Sequence, residues 1–122
     1  MSADRETNPV VVFYFEYSGQ CWQHHVSETW GPCRRLVEVH DDQMANRQID
    51  FYENGWVLKY QRGKARDQYG ILIGCKFSKK YKWRKSFRNV RIISQAEFDS
   101  TWSKTTCIVP SMSEKGWQGN DG

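Results

Sequence analysis

Two cysteines, two histidines and two tryptophans fall within residues 21–33, CWQHHVSETWGPC. Side chains of these types ligate metals, carry redox chemistry and move protons. Cys21, His24 and Cys33 make a Cys-x2-His-x8-Cys set, three zinc-type ligands at compact spacing. A structural zinc site takes four, and the fourth normally belongs to a second close couple. His25 adjoins His24, and successive side chains of an extended chain diverge; Cys75 and Cys107 are isolated in sequence. The set is a metal candidate to watch, but no metal or cofactor is expected. A Cys21–Cys33 disulfide is geometrically possible. However, the charged start MSADRET and the short apolar run 10–15 do not read as a secretory signal or a membrane span. A cytoplasmic chain is expected, with reduced thiols. The two cysteines also lack the Cys-x-x-Cys spacing that activates a thiol. The bland alternative is a connection in which Trp22 and Trp30 cover the core and the histidines sit near the surface.

Catalytic patterns are missing. The sequence has no Gly-x-Ser-x-Gly elbow, no His-Glu-x-x-His and no phosphate-binding glycine loop. His24, His25 or His40 beside a lysine would permit a metal-independent, nuclease-type mechanism. Any small protein with three histidines permits as much, so a non-enzymatic role is expected.

Charge is more informative. The net charge of +4 conceals a segregation: Lys59 to Arg91 holds twelve basic residues and one acid, Asp67, giving +11 and leaving −7 elsewhere. Within it, KFSKKYKWRKSFRNV (76–90) interleaves Lys76, Lys79, Lys80, Lys82, Arg84, Lys85 and Arg88 with Phe77, Tyr81, Trp83 and Phe87. Cations and aromatic faces together suit nonspecific binding of single-stranded nucleic acid. They equally suit an acidic protein docking on aromatic and arginine anchors. The alternative is an edge whose aromatics belong to the core and whose lysines face solvent. Lys79, Lys80, Tyr81, Lys82, Trp83, Arg84, Lys85 and Arg88 are the candidate binding residues, helped by Arg62, Lys64 and Arg66.

The elements that must carry this surface are strands. One domain is expected over 9–110, with a lead-in at 1–8 and an unstructured tail at 111–122. VVVFYFEY reads as a strand apolar on both faces, hence central. RRLVEVHDD reads as a second strand ending at Asp41-Asp42. Asn54-Gly55 lies between two β-prone runs, a hairpin signal. A two-residue loop there pairs Phe51 with Leu58, Asp50 with Lys59 and Ile49 with Tyr60, and puts Ile49, Phe51, Trp56, Leu58 and Tyr60 on one face. YGILIGCKF reads as a further strand and VRII as a short last one. Ser94-Gln95-Ala96-Glu97 is a capping box, with Ile93 and Phe98 as a staple. It opens a helix of about two turns whose Phe98 and Trp102 share a face.

The blocks DFYENGWVLKYQRGKARDQYGIL, KW…F and IISQAEFDSTW resemble small bacterial β-rich domains similar in plan to immunity-type proteins that neutralise toxins. The resemblance covers residues 48–102 and implies a β-rich fold and a non-enzymatic role. The expected architecture is α+β and β-rich: five or six mostly antiparallel strands curled around an aromatic core, closed by one short C-terminal helix. The expected function is a binding module with a macromolecular partner. An acidic protein is favoured over single-stranded nucleic acid, and no membrane is involved.

Overall fold

The computed structural model describes residues 11–20, 29–77 and 87–109. Five strands, β1 (Val11–Gln20), β2 (Pro32–His40), β3 (Ala45–Tyr52), β4 (Val57–Gln61) and β5 (Arg91–Ile93), precede one helix, α1 (Gln95–Lys104). They form a single open sheet in the order β4-β3-β2-β1-β5, antiparallel at every pairing. The first and last strands in sequence are therefore neighbours, with β1 internal.

The alternation within β1 places Phe15 and Tyr17 in one buried cluster and Tyr14 in another on the opposite side. This matches a strand covered twice. The larger cluster joins Phe15, Tyr17, Val37, Val39, Leu58, Tyr60, Tyr69 and Phe77, with Trp30 and Trp56 packed against it. The smaller one gathers Tyr14, Leu36, Ile49, Val57, Ile93 and Phe98 beneath α1. Helix α1 begins as its sequence indicates: Ser94 Oγ accepts the Glu97 N–H at 3.0 Å, and Ile93 and Phe98 are buried together. Phe98 is wholly buried, a contribution on the order of 2 kcal/mol. The helix has ten residues, a turn more than expected.

The hairpin exists, but its register differs by one residue. Tyr52 donates to Trp56 O and accepts from Gly55 N, both at 3.0 Å, and Gly55 has φ +99°. This is a three-residue loop, a type I turn closed by a left-handed glycine. Phe51 thus pairs with Val57, Asp50 with Leu58, Ile49 with Lys59 and Gln48 with Tyr60. A one-residue slip exchanges the faces of one strand. Leu58 and Tyr60 join the larger cluster with Tyr52, while Ile49 and Val57 lie under the helix. The expected Asp50–Lys59 pair is absent: each faces the other side of the sheet.

Residues 69–77 are not a strand. Apart from an isolated bridge between Arg66 and Ile71, they cross the larger cluster without a ladder, burying Tyr69 and Phe77. Beyond α1, Ile108 exchanges two backbone hydrogen bonds with Val57 at 2.8 Å and caps the start of β4.

The cysteines depart from the expectation of four thiols. Cys33 is disulfide-bonded and buried, whereas Cys75 and Cys107 are free; the remaining cysteine, Cys21, lies outside the described residues. The antiparallel pairing of β1 with β2 ends at Gln20–Pro32, so the connection between them starts and finishes at one place, beside Cys33. None of the described helices is long and apolar enough to cross a membrane. The expected lead-in at 1–8 and the whole of the expected tail at 111–122 fall outside the described residues.

Candidate binding surface

Residues Lys79, Lys80, Tyr81, Lys82, Trp83, Arg84 and Lys85 lie outside the described residues; the two roots of their segment, Phe77 and Phe87, are described. Phe77 is 2% exposed and sits 5.2 Å from Phe15, ring centre to ring centre. Phe87 packs against Tyr17 at 4.4 Å between ring centres, the rings tilted by 44°. The two phenylalanines themselves stand 6.2 Å apart with nearly parallel rings. The two roots therefore stand side by side, above the middle of β1. Of the segment's flanking aromatics, Phe77 is a core residue and Phe87 packs against the core, as one reading of the sequence allowed.

Backbone bonds fix each root. Phe77 N donates to Gln43 O at 2.8 Å, and Ser18 N donates to Arg88 O at 3.3 Å. Gln43 belongs to the β2–β3 turn and has φ +69°. The neighbouring Asp42 accepts from Arg62 Nη2 at 2.9 Å, which holds its carboxyl below the ordinary carboxylate range. Arg62 also donates to Ala45 O and Met44 O. Of the three helper cations, Arg62 is therefore committed to this turn, while Lys64 and Arg66 are exposed, as are Lys76 and Arg88 at the roots.

The carboxylates of sheet and helix already have partners. Asp50 is held by Arg35, Glu38 by Arg47, Asp99 by Arg47, and Glu16 by Arg34 and Arg91. Glu97 takes Arg91 as well. Lys59 donates to Trp102 O and Thr105 O, both at 2.9 Å, closing the helix C-terminus. Lys64, Arg66, Lys76 and Arg88 form no ion pair among the described residues. Within the basic third, the ion pairs among the described residues are those of Arg62 with Asp42 and of Arg91 with Glu16 and Glu97.

Among the described residues no three His, Cys, Asp or Glu side chains gather closely enough to hold a metal ion. A sulfur held in a disulfide is not a thiolate, which removes Cys33 from the watched Cys21, His24, Cys33 set; Cys21 and His24 lie outside the described residues. His40 stands 3.7 Å from Glu38, whose oxygens are engaged by Arg47 and Asn46. Burial raises the thiols of Cys75 and Cys107 above their usual pKa, the reverse of activation. Sequence reasoning missed a cleft of about 230 Å³ at the end of the sheet, lined by Ser18, Arg34, Phe51 and Glu53 among others. Arg34 lies over the Phe51 ring at 4.6 Å; only the register, read correctly, would have put these two side by side.

No family model, curated protein or solved structure matches the chain.

Proposed function

We propose that this chain is a non-catalytic binding module whose basic segment, Lys79, Lys80, Tyr81, Lys82, Trp83, Arg84, Lys85 and Arg88, engages an acidic protein partner in the manner of immunity-type domains. One observation carries the choice of partner. Of the four aromatics interleaved with the cations, Phe77 is buried in the core and Phe87 is partly buried against it, which draws both away from stacking bases. A base-stacking platform needs its rings exposed; a protein interface needs a few aromatic or arginine anchors within a charged rim. The segregated charge supports the same reading, because Lys64, Arg66, Lys76 and Arg88 have no internal carboxylate among the described residues.

Labelled poly-L-glutamate and a labelled single-stranded RNA, each titrated by anisotropy at low and moderate salt, separate the partners. The parent binds poly-L-glutamate, and the Lys79, Lys80, Lys82, Arg84→Ala variant loses at least about tenfold in affinity, some 1.4 kcal/mol. Tighter binding of RNA, with a steep log-linear loss in salt, would transfer the surface to nucleic acid. Binding of neither probe would overturn the proposal.

A further inference from the structure

The buried polar groups on the larger-cluster side of the sheet form one connected chain. Arg35 Nη1 donates to the Tyr17 hydroxyl at 2.8 Å. The same guanidinium grips Asp50 through Nε at 2.6 Å and Nη2 at 3.0 Å. Asp50 Oδ2 also accepts from Gln48 Nε2 at 3.2 Å. Gln48 then engages the backbone of the crossing segment, donating to Ile71 O at 3.3 Å and accepting the Ile73 N–H at 2.8 Å. All four side chains are 5% exposed or less.

The ends of this chain matter most. Ile73 leads directly into the Phe77 root, and the Tyr17 ring carries the Phe87 root at 4.4 Å. From β1 through β2 to β3, the network joins the two places where the basic segment is attached. Net stabilisation does not explain its composition, since buried ion pairs often do no better than an apolar pair of the same volume. What such a network supplies is a single geometry, because every donor and acceptor has one partner arrangement. An apolar core would let the strandless 69–77 segment slide; Gln48 reads its backbone at two points as a neighbouring strand would.

We infer that Gln48, Asp50, Arg35 and Tyr17 are positioning residues for the two roots of the basic segment, a brace that fixes the Phe77 and Phe87 ends relative to one another. Its purpose rests on the binding function proposed above; the anchoring is measurable without any ligand. Preorganisation of this kind raises affinity by lowering the ordering cost of binding.

Amide hydrogen exchange on the folded chain, with and without Gln48→Met, tests it. Methionine keeps the length of the side chain and removes both polar ends. Exchange at the Ile73 amide should rise about tenfold relative to the amides of β2 and β3, as expected for one lost hydrogen bond, and affinity for poly-L-glutamate should fall. An unchanged Ile73 rate, or a rise in step with β2 and β3, would mean the network is only general core and would overturn the brace. If the variant does not fold, the parent decides: an Ile73 amide exchanging as fast as an unstructured peptide overturns it equally. A parent that protects Ile73 yet ignores poly-L-glutamate overturns the binding function and leaves the brace standing.

Discussion

Glu38 governs the helix side of the sheet. Burial alone would raise its carboxyl, but Arg47 and Asn46 donate to it and hold it below the ordinary range. The same Arg47 reaches Asp99 of α1 at 2.8 Å and lies over the Phe98 and Trp102 rings, so one ionised carboxylate organises the contact between helix and sheet. With the folded pKa depressed, this stabilisation is complete above the unfolded carboxylate range and is lost as pH falls through the folded value. Glu38→Gln should therefore flatten the acid limb of a stability–pH profile measured by urea unfolding. Tyr14, next to it, shows the opposite sign. Burial first, then the Glu38 charge, pushes its hydroxyl from 10.0 up to about 12. Its contribution is present below pH 10 and fades as pH rises through about 12. In a tyrosinate absorbance titration, Tyr14→Phe should remove a step near 12, and Glu38→Gln should move that step downward.

Turns and caps set the elements. Gly55 closes the hairpin at φ +99° with open space around it, so Gly55→Ala should cost about 1 kcal/mol, from backbone conformation alone. Gly70→Ala should cost more in the same urea unfolding measurement. A Cβ there would stand 2.9 Å from the Tyr60 hydroxyl, which donates to Asp67 at 2.8 Å and lies within the core. Features determined by near neighbours were legible in the sequence: the two-sided β1, the hairpin, the Ser94 cap and the Ile93–Phe98 staple. Features determined at a distance were not. Asn54-Gly55 serves a two-residue or a three-residue loop, and that single residue decides whether Asp50 meets Lys59 in solvent or Arg35 in the core. YGILIGCKF has strand composition, yet the side chain of Gln48, two strands earlier, holds it in place of a ladder. For the candidate surface, the charge was plain in the sequence. The burial of Phe77 and the packing of Phe87 against the core depend on Phe15 and Tyr17, far away in the chain, and were only one of the alternatives.

At the scale of the molecule, the cysteines give a direct check on how the chain is cross-linked. Protein prepared without reductant and then denatured should react as two free thiols, Cys75 and Cys107, and as four after reduction. Mass spectrometry of the alkylated chain would count them. Four thiols from an oxidising preparation would contradict the bond at Cys33, whereas two would bear it out. The sheet order has a further consequence, for biosynthesis. β1 leaves the ribosome first and pairs early with β2, but its other side waits for Arg91–Ile93, after most of the chain has been made. Until then the longest strand offers an open row of backbone donors and acceptors to any passing chain. Growing chains halted before Val90 would thus keep this side of β1 open to pairing, and translation through the basic segment is the interval in which that edge waits for its partner.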